Sequence, residues 1–325
     1  MEVWILFNEE IEAPTNEAFE VRRFLAEGRK MDVDVKVFNT EQFDLLVTEE
    51  DRDSIMIDGH PMPLPDFLLP RTLVKDTGYF ALAVIRQLER LGVTIYNNAN
   101  TIETVADKLH THQILAESGL PTPTTMLAKF PVDMELVETL IGFPVVVKTL
   151  LGANGSGVFL VENRSAFKDL MELIGETNPN IQLIFQKYIA NSRGRDLRLF
   201  VVDGQVIASM ERRASDGSFK ANFSTGGTVH AFEPDAEAID LAIRTSEALN
   251  LQVSGIDLLF TDAGYTICEA NTFPGFKGLE QACEVNVPVE IFSAMRRRMD
   301  IEFGEIPKTV RFEDIKRKDR AVTNE

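Results

Sequence analysis

Short apolar runs alternate with stretches of helical periodicity over residues 1–98. Residues 3–7 read as a buried strand. Residues 17–28 place Phe19, Val21, Phe24 and Leu25 at helical spacing, and residues 33–37 alternate as a strand. A further apolar run over 64–69 ends at Pro70-Arg71. Residues 80–91 form a strongly amphipathic helix, and 93–96 a last short strand before the polar Asn97 and Asn98. This βαβ rhythm predicts a small parallel α/β lobe. The lobe contains neither GxGxxG nor GxxxxGK[ST], so nothing supports a Rossmann or Walker-A reading.

Residues 101–119 are expected to form a helix with Thr101 as its cap and Gly119 at its end, followed by an extended linker through Pro121 and Pro123. A strand over 143–148, a glycine-rich loop over 151–157, a strand over 157–161, a helix near 164–175 and a strand over 181–186 read as a separate α+β module. Residues 196–213 read as two strands around the turn Asp203-Gly204. A helix begins at Pro234-Asp235 and ends near Leu249. Two apolar, β-prone runs then flank Asp262-Ala263-Gly264, and a final helix covers 287–299. From 304 onward the chain mixes charges without apolar periodicity and is expected to be weakly ordered.

Composition narrows this picture. A chain of 325 residues with 44% hydrophobic and 26% charged positions fits a soluble globular protein of two or three lobes. Its apolar runs are far too short to span a bilayer. The N-terminus MEVWILFNEE has no basic n-region or small-residue cleavage site, and only Cys268 and Cys283 are present. Reduced thiols in the cytoplasm are therefore expected. A formal net charge of −18 disfavours nucleic acid and anionic membranes as partners.

The candidate chemistry concentrates at residues 255–278. A three-residue loop ending in a left-handed glycine would pair Thr261 with Tyr265 and set Asp257 opposite Glu269. Asn271 then shares their face. Facing carboxylates repel unless a cation lies between them, and a hard divalent ion, most simply Mg²⁺, suits two carboxylates and an amide oxygen. An exposed polar hairpin face is the alternative. Phe273-Pro274-Gly275 makes a tight turn just past these residues.

Lys148 ends a buried strand beside Gly152, Gly155 and Gly157, whose backbone N–H groups can form an anion nest suited to polyphosphate. By itself this segment fits a flexible hairpin loop with a solvated lysine equally well. Lys108, taken alone, reads as a solvated helix lysine. Asp196 and Arg198 share a strand face. Arg212 and Arg213 point to opposite faces, so one of the two can face the hairpin. Lys220 and Asn222, between glycines, could close over a ligand. His110 and His112 diverge on a helix and read as surface histidines rather than a zinc pair. Cys268, next to Glu269, is expected on the opposite face as a buried small hydrophobe.

Read in order, ADKL (106–109), VVVK (145–148), LGANGSGV (151–158), FQKYI (185–189), GRDLRLFVV (194–202), MERRASDGSFKANF (210–223), GIDLL (255–259) and EANTFPG (269–275) closely resemble the ATP-grasp superfamily, and within it the RimK-type glutamate ligases. The resemblance covers about residues 65–295. It implies an α/β fold with α+β lobes: a pre-ATP-grasp domain at 1–100, a central lid at 101–188, a C-terminal antiparallel-sheet lobe at 189–300 and a charged tail at 301–325. It implies an ATP-dependent carboxylate–amine ligase working through an acyl phosphate, adding glutamate or a related amino acid to a peptide or small-molecule carboxylate. A peptide-modifying ligase or macrocyclase, and a non-catalytic ATP-binding regulator, are the alternatives.

On this resemblance Lys108 and Lys148 bind nucleotide, and the loop with Gly152, Gly155, Ser156 and Gly157 covers phosphates. Lys187 and Tyr188 meet adenine, Asp196 the ribose, and Lys220 and Asn222 the nucleotide. Arg212 or Arg213 lies near the transferred phosphoryl group. Asp257, Glu269 and Asn271 hold Mg²⁺, with Mn²⁺ as a substitute. A cytoplasmic dimer or tetramer is implied. The chain departs from the pattern at Lys187, where glutamate is common, and at Lys220, where arginine is. It also departs at Thr272-Phe273, where relatives carry Ala-Ser, and this stretch bears on the choice of amine donor.

Overall fold

The computed structural model describes residues 1–47, 55–71, 78–127, 129–150, 157–178, 180–215, 217–221 and 226–304. Gly152, Gly155, Ser156, Asn222 and the charged tail from 305 onward lie outside the described residues, while 301–304, expected in the tail, belong to the last helix.

The first lobe is built as its periodicity predicts. Strands β1 (Glu2–Leu6) and β2 (Asp34–Phe38) pair in parallel around helix α1 (Asn16–Lys30). A small antiparallel sheet follows, made of β3 (Phe43–Leu45), β4 (Ile55–Ile57) and β5 (His60–Pro61). Strand β6 (Phe67–Pro70), helix α2 (Tyr79–Arg90) and β7 (Thr94–Ile95) complete a parallel sheet of order β2-β1-β6-β7.

The helix expected over 101–119 is two helices, α3 (Ala99–Ala106) and α4 (Lys108–Glu117). Asn98, not Thr101, caps the first by accepting from the Thr101 N–H. Asp107 is extended and caps the second by accepting from the His110 N–H, which breaks the run.

The central sheet has order β10-β9-β11-β8, from β8 (Thr125–Leu127), β9 (Val145–Thr149), β10 (Val158–Val161) and β11 (Leu183–Lys187). Helices α5 (Met134–Leu140) and α6 (Arg164–Thr177) cover one face with a core of their own, in which Phe167 packs edge-on against Phe185.

The third sheet has five antiparallel strands: β12 (Arg195–Val202), β13 (Gln205–Arg213), β14 (Thr228–Ala231), β15 (Val253–Thr261) and β16 (Gly264–Asn271), in the order β14-β13-β12-β15-β16. The predicted Asp203-Gly204 turn closes β12 on β13, and both residues have positive φ, as a two-residue hairpin requires. Strand alternation gives the sheet two buried faces. Leu197, Leu199, Ile256 and Leu258 pack beneath α7 (Ala236–Ala248). Phe200, Val202 and Val253 join Val3, Ile5, Phe24 and Phe67 of the first lobe, together with Phe276 before α8 (Lys277–Ala282) and Phe292 of α9 (Val287–Gly304). The first lobe and this sheet thus share one core.

Among the described residues no helix is long and apolar enough to cross a membrane.

Candidate active site

Antiparallel register places the charged residues of the third sheet in a row. Asp196 on β12 faces Arg212 on β13, Arg198 on β12 faces Asp257 on β15, and Asp257 faces Glu269 on β16. The expected Asp257–Glu269 pairing is present, but it arises differently. Thr261 pairs with Gly264 rather than Tyr265, and a β-bulge next to Asp257 takes up the extra residue at Cys268. The bulge also corrects the reading of Cys268. Cys268 and Glu269 both line the cleft, whereas Ile267 and Ala270 both pack in the core beneath α7. Burial pushes the Cys268 thiol up to about 11, which keeps it protonated and unreactive.

Asp257 is 4% exposed and is gripped by two arginines. Arg198 donates to both its oxygens at 2.7 Å, and Arg212 donates to Oδ2 at 2.8 Å. Arg212 also holds Asp196 in a two-pronged pair at 2.6 and 2.8 Å. Burial works against ionisation of Asp257, but Arg198 and then Arg212 outweigh it and hold the carboxyl below its ordinary range. Burial likewise opposes the charge on Arg212, and Asp196 and Asp257 more than restore it. Two buried acids interleaved with two bases leave no charge uncompensated.

Across the cleft, Val146 and Lys148 on β9 and Gln186 on β11 present one face of the central sheet. Lys148 is 8% exposed. Lys108, the first residue of α4, lies with its Nζ 3.5 Å from the Leu150 carbonyl. Burial lowers the pKa of Lys108, and the nearby Glu269 opposes that shift. Gly157 turns into β10 with φ +71°, and a Cβ there would meet Thr149 Oγ1 at 2.6 Å. The cleft between the sheets, about 920 Å³ including its open mouth, is lined by Lys108, Lys148, Lys187, Tyr188, Asp196, Arg212, Lys220, Asp257 and Glu269. The Lys220 ammonium lies 5.9 Å from the Phe159 ring centre and 5.7 Å from that of Phe219.

Arg213 is outside this lining. Its guanidinium is about half-exposed and pairs with Glu211 at 2.7 Å. Of the two arginines the structure brings only Arg212 to the cleft. Asn271 sits just behind the lining, and its amide N–H groups reach the Gly255 carbonyl at 3.1 Å and Asp257 at 3.4 Å. The amide oxygen is thereby turned away from both.

The donor set fits a magnesium ion. Two carboxylates and one amide oxygen are hard ligands, and among the described residues no group of three or more His, Cys, Asp or Glu could cage a metal by itself. Mg²⁺ is characteristically held by one or two carboxylates and completed by substrate phosphates and water.

The turn after Asn271 is held from the first lobe by side chains that local periodicity could not reveal. Asn97, fully buried, donates to the Val253 and Thr272 carbonyls at 2.7 and 2.8 Å and accepts from the Gln252 and Val253 N–H groups. Arg71 donates to the Pro274 carbonyl at 3.3 Å and pairs with the buried Glu20. Glu20 accepts from the Phe276 N–H at 2.6 Å and the Lys277 N–H at 3.2 Å. His112 is also corrected: it is buried, between Thr122 and Gln186, while His110 is exposed.

Comparison with known proteins gives this geometry a family. Residues 1–102 match the RimK PreATP-grasp domain and residues 105–295 the RimK-like ATP-grasp domain. A probable alpha-L-glutamate ligase of Xanthomonas euvesicatoria pv. vesicatoria is 35% identical over 84% of this chain and 92% of its own length. One from Trichodesmium erythraeum is 32% identical over 86% and 93%. Among solved structures, the ATP-grasp ligase PsnB with its minimal precursor superposes with a TM-score of 0.71 at 19% identity, covering 92% of this chain and 98% of that one. The D-alanine–D-alanine ligase of Bacillus anthracis superposes at 0.66 with 18% identity, covering 93% and 99%. These two likenesses establish the fold. Family models and sequence relatives together span the lobes, the cleft and the hairpin, and the chain belongs to the RimK-like ATP-grasp ligase family.

Proposed function

We propose that the cleft binds ATP with Mg²⁺ and activates a substrate carboxylate, to which the amino group of glutamate or a related amino acid is joined. The carboxylate oxygen takes the terminal phosphoryl group and ADP leaves. The amine nitrogen then attacks the acyl carbon, phosphate leaves, and the amine proton passes to solvent or phosphate. The observation that carries this reading is the alignment of Asp257 and Glu269 on one sheet against Lys108 and Lys148 on the facing side of one cleft.

Phosphoryl transfer asks chiefly for positioning and charge neutralisation. Lys148 and Lys108 supply positive charge to phosphates. Asp257, Glu269 and Asn271 would hold Mg²⁺, which would neutralise charge on the phosphates. Mn²⁺ suits the same hard ligands and should substitute. Arg212, fixed by Asp196 and Asp257, keeps a permanent positive charge at the cleft floor, where charge shifts during transfer. The central sheet closing on the third would exclude water from an acyl phosphate. Gly152, Gly155, Ser156 and Asn222 are assigned to the nucleotide on the resemblance alone.

The test is an ADP-release screen with each amino acid as amine donor against carboxylate acceptors, including peptides, with mass spectrometry of the product. Glutamate-dependent ADP release with a mass gain of one residue supports the reading; ADP release that no amine stimulates sinks it. A product whose mass shows only loss of water from a peptide would instead identify a macrocyclase. The proposed setting is a cytoplasmic homo-oligomer, to be read by light scattering.

A further inference from the structure

The cleft lining combines charged and apolar side chains. Lys108, Lys148, Arg212, Asp257 and Glu269 supply the first kind of lining, and Val146, Val158, Ile189 and Leu259 the second, with Gln186 directly across the β9–β11 pair from Val146. Apolar side chains of this kind suit the faces of a nucleobase. Gln186 is 2% exposed, so the edge its amide turns to the cleft is a fixed feature of the lining.

Which edge faces the cleft follows from counting protons. The Thr125 hydroxyl donates its proton to the Pro123 carbonyl at 2.8 Å. Its oxygen has only lone pairs left for Gln186, 2.9 Å away, so the Gln186 NH₂ must donate there. The second amide N–H then points at His112 Nε2, 3.0 Å away, which must accept. A neutral imidazole that accepts at Nε2 carries its proton on Nδ1, and that proton goes to Thr122 Oγ1 at 2.7 Å. The Thr122 hydroxyl proton in turn goes to the same Pro123 carbonyl at 3.3 Å. In this arrangement every donor has a partner, and the Pro123 carbonyl, which can only accept, takes both threonine hydroxyl protons. The network requires an uncharged His112. Burial first, and then Lys148, lower its pKa to about 4, in keeping with that requirement. With both amide protons committed, Gln186 Oε1 is the atom left to face the cleft.

Resting on the assignment of the cleft to a nucleotide, we infer that His112 is a positioning residue: it locks the Gln186 amide with its oxygen toward the cleft, so that the lining favours a base bearing an amino group over one bearing a carbonyl. A freed amide could rotate and offer N–H to a carbonyl instead. His112 touches no reacting atom and acts only through Gln186.

The test compares ADP with inosine diphosphate, which replaces the amino group by a carbonyl, in calorimetric binding to the full chain with Mg²⁺. Wild type should prefer ADP. His112→Leu should lose roughly tenfold of that preference, about the worth of one hydrogen bond, with phosphate-driven affinity largely kept. His112→Gln, which restores an acceptor, should recover it. ¹⁵N NMR of the wild-type imidazole should show the Nδ1–H tautomer, a readout that does not depend on any variant folding. An Nε2–H tautomer, or unchanged selectivity in a folded His112→Leu, overturns the inference while wild-type ADP binding leaves the nucleotide assignment standing. Wild type binding neither nucleotide overturns both.

Discussion

Glu269 and Asp257 face each other across two strands, yet their surroundings differ. Asp257 is buried and gripped by Arg198 and Arg212, whereas Glu269 is only half-buried and lines the cleft. Glu269→Ala should therefore abolish ADP formation and weaken Mg²⁺-dependent ADP binding with little change in stability, checked by calorimetry with and without the metal and by urea melts. Lys148→Ala should raise the KM for ATP more than it lowers kcat, since its charge acts on bound phosphate throughout. Arg198→Leu should cost stability, because it strips one partner from a buried carboxylate. The usual ~3–5 kcal/mol for breaking such a pair is an upper bound here, since Arg212 remains. Asp257's depressed pKa adds a sign: its contribution is present above the ordinary carboxylate range and is lost as pH falls through the lowered folded value. Arg198→Leu should shift the acid limb of a stability-versus-pH curve upward. At this scale the metal-ligand candidates were legible as residue types at strand spacing and Lys148 as the end of a buried strand, whereas Lys108, on a helix, was singled out by the resemblance alone. Arg198 carried the same signal, two positions from Asp196, but its partner belongs to another strand. His112 was misread because α4 buries Thr111 and His112 as well as Leu115, so a polar residue there does not mark a surface.

Elements carry the next layer. Strand alternation placed Asp257 opposite Glu269, but a bulge leaves no periodic signature, so the route to that pairing and the orientation of Cys268 were hidden. The Phe273-Pro274-Gly275 turn was visible as turn chemistry; what holds it was not, because Glu20 and Arg71 are some two hundred or more positions away and sit on α1 and after β6. Gly255, on β15, explains how close the turn lies: a Cβ there would approach Pro274 Cβ to 2.8 Å. Gly255→Ala should push the turn off the hairpin and raise the KM for the acceptor or amine with less effect on ADP binding, measured by calorimetry beside steady-state kinetics. Glu20→Ala removes the acceptor of two backbone N–H groups and the partner of Arg71 at once. It should lower kcat while leaving the Mg²⁺-ADP affinity near wild type, with Glu20→Gln, which keeps an acceptor oxygen, losing less. Equal losses in both variants would separate the role of the turn from that of the ion pair.

The molecule as a whole divides by its cores rather than by its order along the chain. Parallel and antiparallel pairing were each readable from their periods, and three of the four sheets among the described residues were anticipated in outline. Sharing of a core between the first and third sheets was not, since it joins Phe24 to Phe276 and Phe292 edge-on at 5.5 and 5.7 Å. The central sheet keeps its own core beneath α5 and α6 and meets the third sheet across the cleft. A unit with a small separate core and a polar face opens more readily than one embedded in a larger core. In hydrogen exchange, amides of β8 to β11 should therefore exchange at a lower opening free energy than those of β1, β12 and β15. Ligand that bridges both sides of the cleft should slow exchange through openings that part the two sides. Saturation at a hundred times Kd contributes about 2.7 kcal/mol to the state that binds. Mg²⁺ with ADP should thus slow exchange in β9 and β11 by up to roughly a hundredfold, and exchange through openings of the shared core by no more than that. Equal opening free energies, without ligand, for β8 to β11 and for β1, β12 and β15 would mean that the central lobe opens only with the rest of the molecule, and that its closure over the cleft is not a separate motion available to protect an acyl phosphate.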